Sequence, residues 1–261
     1  MKLSDRIAGS ARGRYWVSKL SNRVDFQPLF NVMANRLRSG LRQMRDLGFH
    51  PDLIVDIGAY RGDWSRVALP IFPGARFLLL EAQEARHGDL ATARLIDPAR
   101  IDFRICVLGA EPAEATPFHL MESGSSLYHD VTAFPRETVH LPVTTLDAVM
   151  VNGHVGGRLF LKLDVQGAEI DVLRGGPRTV ARADAVLLEA SLVEFNRGAP
   201  RIAEMLGHMR EMGFVLHDIW DLRRIGPVLA QVDLLFARNG SLLDRKARET
   251  IEGFGAHQLG A

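Results

Sequence analysis

The sequence predicts an α/β fold: a doubly wound sheet that is mostly parallel and closes on an antiparallel last strand. Three observations predict it. Short apolar runs recur along the chain without polar alternation, the mark of strands buried on both faces. Segments of helical spacing separate them, the rhythm of β-α-β units. The final two runs are joined by a loop too short for a crossover helix, so they must run antiparallel.

Ahead of the first strand, Phe30, Met33, Leu37, Leu41 and Met44 recur at intervals of three or four and mark one helix face. Arg36, Arg38, Arg42 and Arg45 lie among them and are read as a solvated flank rather than a phosphate-binding face. Gly48 and Pro51 stop the helix. Residues 53–58 (LIVDIG) form the first strand and 63–71 a helix; residues 76–82 (RFLLLEA) form the second strand and 84–95 a second helix. Residues 103–110 (FRICVLGA) read as the third strand. The chain then changes character.

Residues 116–130 are polar and rich in glycine and serine, and 140–150 (HLPVTTLDAVM) read as a proline-bearing edge strand with a helix start at Thr145 or Asp147. This marks an insertion of about 114–150 over one end of the sheet. Residues 158–176 resume the strand-turn-helix rhythm, as do 185–191 with a helix over 200–212, and 214–220 with 231–238 make the closing pair. The division expected is a helical extension over 1–47, one domain over 48–240 and a tail over 241–261.

Composition limits the partners. In 261 residues, 47% of them hydrophobic, there is ample material for one sizeable core. Lysine plus arginine number 32 against 31 acids, so no broad cationic field attracts nucleic acid or an anionic membrane. The single cysteine, Cys106, excludes a disulfide framework and a cysteine-rich zinc site, and a reducing cytoplasm fits best. No apolar run approaches the roughly 18 residues of a membrane span, and the first residues lack an apolar signal core.

The chemistry gathers where strands end. In a doubly wound sheet, ligands sit beyond the carboxyl ends of the strands, at the point where the winding reverses. VDIGAYRGDWS (55–65) occupies that place after the first strand: Gly58 and Gly62 permit a sharp turn with close approach to a ligand, and Asp56 offers an acceptor. Glu81 stands 19 positions beyond Gly62, close to the roughly 20 at which an acid takes both ribose hydroxyls in this fold class. The ligand is therefore a nucleoside. It is not a dinucleotide: the loop G-A-Y-R-G-D lacks the G-x-G-x-x-G pattern, and Asp63 puts a negative charge where a pyrophosphate would sit. An ammonium group suits that acid, so a nucleoside with an amino-acid tail, S-adenosylmethionine, fits both ends. Trp64 reads as packing, and backbone after the third strand, from Cys106 to Gly109, is placed to edge the adenine.

A second constellation is LKLDVQGAE (161–169). Lys162 and Asp164 share one side of the strand, and Glu169 opens the next helix. A lysine in an apolar strand is costly unless paired, so Lys162 is expected to pair with Asp164 or Glu169. Glu189 ends the following strand in the same layer. No pair among the nine histidines has helix-face metal spacing; His119, His129 and His140 are read as structural or exposed, and His217 as a base worth testing.

Taken together, GFHPDLIVDIGAYRGDWS, FPGARFLLLEA, GSSL, TTLD, FLKLDVQGAEIDVLRGG, LLEAS and QVDLLFAR resemble the FkbM family of S-adenosylmethionine-dependent methyltransferases over most of residues 47–238. The resemblance implies a Rossmann-like methyltransferase sheet and O-methylation of a hydroxyl on a sugar, glycan or secondary metabolite. Tyr60 departs from the asparagine usual in the loop, and Gln166 from the usual glutamate. The cofactor set becomes Asp56, Gly58, Ala59, Tyr60, Gly62, Asp63 and Trp64 in the first loop, with Glu81, Ala82, Val107, Leu108 and Asp164 at later strand ends. Candidates for base or orienter are Asp164, Glu169, Glu189 and Lys162. Related folds hold a divalent ion at the fourth and fifth strand ends, where Asp164 and Glu189 stand; a pair with Lys162 explains these acids as easily, and no metal is assigned. A nucleotide-dependent oxidoreductase and a non-catalytic scaffold of the same fold are the alternative readings.

Overall fold

The computed structural model describes residues 27–131, 136–151 and 156–259. The chain divides into two compact units, Met1–Arg36 and Leu37–Ala261. In the first, the described residues belong to the opening turns of helix α1 (Gln27–Asp46). The side chains of Phe30 and Met33 lie outside the described set, whereas Leu41 and Met44 are buried as the helical spacing predicts.

The second unit is built on a seven-stranded sheet. Its strands are β1 (Leu53–Ile57), β2 (Arg76–Glu81), β3 (Ile101–Ile105), β7 (Leu159–Leu163), β8 (Ala183–Ser191), β9 (Phe214–Ile225) and β10 (Val228–Arg238), in the order β3-β2-β1-β7-β8-β10-β9. The first five run parallel, while β10 pairs antiparallel with both β8 and β9, as the closing pair in the sequence requires. The winding proceeds from β1 out to β3 and then resumes on the other side of β1 at β7. The switch point lies between the tips of β1 and β7.

Alternation across β1 and β7 divides the core. Leu53, Val55, Ile57, Leu159, Leu161 and Leu163 face one apolar layer, and Ile54 and Phe160 face the other. The first layer is covered by α4 (Leu146–Met150), α5 (Glu169–Arg174), α6 (Pro177–Arg182) and α7 (Ile202–Glu211). On the second face lie α2 (Asp63–Ala68), α3 (His87–Arg94) and the end of α1. Thr145 caps α4, its hydroxyl accepting from the Ala148 amide at 3.2 Å, at the start the sequence marks.

Two elements differ from expectation. The third strand stops at Ile105, and the chain leaves the sheet at Cys106 after one more bond from its amide to the Glu81 carbonyl. Residues 107–108 instead form β4, which joins β5 (Ala113–Leu120) and β6 (Glu137–Thr144) in a separate three-stranded sheet, order β4-β6-β5. So β6 is the middle strand of a small sheet. Pro142 is tolerated because β4 pairs only with Val143 and Thr144, leaving no bond at 142 to lose on that side. The second difference is α8 (Leu242–Leu259): the residues read as a tail form a helix, anchored by the buried Leu243.

Gly40 in α1 lies against the Trp220 indole, where an added Cβ would overlap the ring. Alanine for glycine inside a helix ordinarily stabilises by roughly 0.5–1 kcal/mol. Here the sign reverses, and Gly40→Ala lowers stability by about 1–3 kcal/mol through overpacking, read as a lower urea midpoint at unchanged slope.

Candidate active site

Asp56 and Lys162 are register partners on β1 and β7, and both are buried. Lys162 Nζ lies 2.9 Å from Asp56 Oδ1 and aims a hydrogen at the Gly58 carbonyl, 3.0 Å away. Ser65 Oγ donates to Asp56 Oδ2 at 2.7 Å. Burial pulls the lysine down, but the Asp56 and Asp164 charges more than offset it, so the ammonium titrates above its ordinary value. The expected partner, Asp164 or Glu169, is corrected. Strand adjacency sets Asp56 directly opposite Lys162, an adjacency the sequence does not display.

This pair also encloses Asp56, which is fully buried and is not part of the crevice wall expected of it. Gly58 and Gly62 adopt positive φ, 75° and 78°. A Cβ at Gly58 would overlap the Asp164 carbonyl oxygen, and one at Gly62 would press on Ala93 and Leu79. The glycines are thus required by the loop's packing on the β7 turn and on α3, rather than by clearance for a ligand. Gly62 does not line the crevice.

The crevice opens beyond the tips of β1, β2 and β7. Its loop side is Gly58, Ala59, Tyr60, Asp63 and Trp64; Glu81 and Ala82 follow at the end of β2. Val107, Leu108 and Phe118 of the small sheet make an apolar wall, and Lys162 and Asp164 complete it from β7. Glu81 accepts from the Tyr60 amide at Oε2 (2.7 Å) and from the Gln83 amide at Oε1 (2.9 Å). A carboxylate has about four lone-pair sites, so two acceptor positions remain. Asp63 is largely exposed and shares its charge with Arg66 at 3.0 Å. Cys106 also borders the crevice; burial pushes its thiol up to about 11, which keeps it protonated at neutral pH.

Three of the four candidates for base or orienter are otherwise engaged. Lys162 pins the first loop. Glu169 is buried and turned back on its own turn, accepting from the Val165 amide at 3.0 Å and the Gly167 amide at 3.0 Å and 3.2 Å, and it does not reach the crevice. Glu189 is buried among Arg223, Gln231 and Gln166, each of which donates to it, and it too lies off the crevice wall. Asp164 alone of the four carries an acid to the wall with a single donor on it, Gln166 Nε2 at 2.7 Å from Oδ1. Among the described residues no three His, Cys, Asp or Glu side chains converge as a metal site. His217 lines a separate hollow with Gly40, Met44 and Trp220, away from the crevice, and burial lowers its pKa.

Sequence reasoning missed Arg61, Gln83, Phe118 and Leu127 on the crevice wall, while Ser123 and Ser125 belong to the SGSS tip it read as a candidate hydrogen-bonding site for a polyol acceptor. Gln83 had a signal, since it follows Glu81 by two. Phe118 and Leu127 come from the insertion, which the sequence places over one end of the sheet without showing which of its residues reach the crevice.

The family profile described as Methyltransferase FkbM domain matches residues 56–216. The chain belongs to the FkbM methyltransferase family. Solved structures similar to it include an FkbM methyltransferase from Methylobacillus flagellatus KT, at 17% identity and a TM-score of 0.46, covering 71% of this chain and 43% of that one. Magnesium protoporphyrin IX methyltransferase from Synechocystis PCC 6803, with bound SAM, is 14% identical at a TM-score of 0.46, covering 89% and 88%. An O-methyltransferase family protein from Burkholderia thailandensis is 13% identical at 0.42, covering 91% and 63%. This chain therefore spans less than half the length of the FkbM structure. No curated protein matches it.

The cofactor of this methyltransferase domain is S-adenosylmethionine, and the residues present fit it. Glu81 keeps open acceptor positions in the crevice, and the apolar wall of Ala82, Val107, Leu108 and Phe118 adjoins it.

Burial pushes Glu169 from its ordinary 4.5 up to about 7, against the backbone amides that pull it back. Between those values the folded protein holds a proton that the unfolded chain has released, so stability falls as pH rises through that window and levels above it. Glu169→Gln removes its share of this decline in urea midpoints measured from pH 4.5 to 7. A residual slope of the same sign persists from Glu189 and from Asp233, which burial raises to about 6.

Proposed function

We propose that this chain transfers a methyl group to a hydroxyl of a small-molecule or glycan acceptor, a sugar or secondary metabolite, with Asp164 taking the hydroxyl proton. The observation that supports this reading is the allocation of donors among the acids at the strand tips. Asp56, Glu169 and Glu189 each hold two or more donors and lie off the crevice, whereas Asp164 lines it with a single donor.

In this reading Glu81 accepts the ribose hydroxyls, Ala82, Val107 and Leu108 enclose the base, and Asp63 with the loop backbone meets the amino-acid end. S-adenosylmethionine, when bound, supplies an electrophilic methyl group on a sulfonium. The demand on the chain is therefore modest: align an oxygen and accept its proton. Lys162 serves by position. Tied to Asp56 and the Gly58 carbonyl, it holds the cofactor loop against the turn that carries Asp164.

Two substitutions test the two halves. Glu81→Ala removes charge-assisted hydrogen bonds of about 1.5–3 kcal/mol and weakens S-adenosylhomocysteine binding roughly tenfold or more by calorimetry. Affinity equal to that of the unaltered chain would refute the ribose assignment, and tighter binding of NAD than of S-adenosylhomocysteine would return the oxidoreductase reading. Asp164→Asn lowers turnover on a hydroxyl acceptor by about 10²–10⁴-fold while the urea midpoint stays close to that of the unaltered protein. Full activity in that variant removes Asp164 from the chemistry.

A further inference from the structure

Among the described residues, three that are not glycine take a left-handed backbone: Tyr60 (φ 51°), Glu122 (φ 39°) and Gln166 (φ 57°). Such residues concentrate at functional sites, where the surrounding structure must hold them. Gln166 is held from two directions. Its carbonyl accepts from Ser126 Oγ at 2.8 Å, from the insertion, and from Asn196 Nδ2 at 2.7 Å, from the loop after β8. Ser126 and Asn196 are both buried.

The side chain so aimed lies between two acidic side chains. Gln166 Nε2 donates to Asp164 Oδ1 at 2.7 Å and to Glu189 Oε1 at 3.3 Å. A primary amide carries two N–H hydrogens, and here each has one acceptor. The reverse amide orientation would set its oxygen 2.7 Å from the Asp164 carboxylate oxygen with no hydrogen between them, so the hydrogen-bond network fixes which end is nitrogen. Glu189 is in turn held by Arg223 of β9 and Gln231 of β10. A line of hydrogen bonds, with Glu189 as the shared acceptor, therefore runs from the far edge of the sheet through Gln166 to Asp164.

We propose that Gln166 is the positioning residue for Asp164: its amide separates two neighbouring acids, turns Asp164 to the crevice and keeps it ready to accept a proton. Ser126 and Asn196 set the backbone that aims the amide. The inference rests on the reading of Asp164 as proton acceptor, and it adds to it a residue that touches neither cofactor nor acceptor. In this chain a neutral amide fills the role, at a position where the family usually carries a glutamate. A glutamate at 166 would bring a third carboxylate to the same spot with no hydrogen to give, and three adjacent acids cannot all ionise at the ordinary pH.

The test titrates Asp164 directly, by the pH dependence of its side-chain carboxyl carbon signal in 13C-aspartate-labelled full-length protein, assigned with Asp164→Asn. No acceptor is needed. In Gln166→Glu the midpoint of that signal moves upward by one unit or more, a tenfold or larger gain in proton affinity. Gln166→Leu removes both hydrogens without adding charge, and the midpoint rises by less. Near-ultraviolet circular dichroism confirms that each variant is folded, and the leucine variant serves if the glutamate variant is not. A midpoint unmoved in a folded variant overturns the inference. That result is distinct from failure of the function reading, which full activity of Asp164→Asn would show while leaving the titration intact.

Discussion

The site depends on the buried contact between the tips of β1 and β7. Removing two charges from water is costly unless their remaining hydrogen-bonding capacity is satisfied. Asp56 and Lys162 meet that condition through Ser65 and the Gly58 carbonyl. Because the same ammonium holds the pair and the loop, the first turn cannot drift from the second. Gly58 brings its backbone against the Asp164 carbonyl, an approach any side chain would block. The loop then delivers the Tyr60 amide to Glu81. A buried ion pair below the crevice thus sets the position of an acid in its wall.

The insertion ties the roof to the same floor. Tyr60 Oη donates to Glu122 Oε2 at 2.8 Å, Arg86 pairs with the same oxygen at 3.0 Å, and Gln83 Nε2 donates to the Glu122 carbonyl at 2.8 Å. Tyr60 and Gln83 each give a backbone hydrogen to Glu81 and a side-chain hydrogen to Glu122. At the other end of the segment, Ser126 bonds the Gln166 carbonyl, and Tyr128 donates to Asp171 at 2.7 Å in α5. The strap from 122 to 128 therefore touches both the cofactor loop and the turn carrying Asp164. The insertion, expected over one end of the sheet, is packed against both turns of the site.

What was legible in the sequence is what is local. The apolar runs gave the strands, and Gly58, Gly62 and Glu81 stood out because spacing along one chain records a turn and a strand end. What was hidden is adjacency. Lys162 announces that it needs an anion, but Asp56 is more than a hundred residues earlier and becomes its neighbour only once β7 docks beside β1. The roles of Glu169 and Glu189 were hidden for the same reason, since an acid near a strand end looks identical whether it faces a crevice or its own turn. Phe118 and Leu127 reach the wall only because the small sheet folds over the strand tips.

The charge distribution explains why this crevice suits a cationic adenosyl amino acid and not a diphosphate. Glu81, Asp63 and Asp164 all reach its wall, while of the wall's cations Lys162 is matched by Asp56 and Arg61 lies 4.0 Å from Asp89. A dinucleotide's phosphates need backbone amides at a helix start free of negative charge. Here α2 is six residues long, begins with Asp63, and has the Tyr60 amide committed to Glu81. Anionic phosphates would meet the Glu81 and Asp164 carboxylates at short range, and in a partly buried site such repulsion is weakly screened. A sulfonium and an ammonium meet these acids with the opposite sign, and the ligand's one carboxylate still leaves its net charge positive. Selection against phosphate thus follows from acids at the wall whose neighbouring cations, Lys162 and Arg61, already have partners in Asp56 and Asp89.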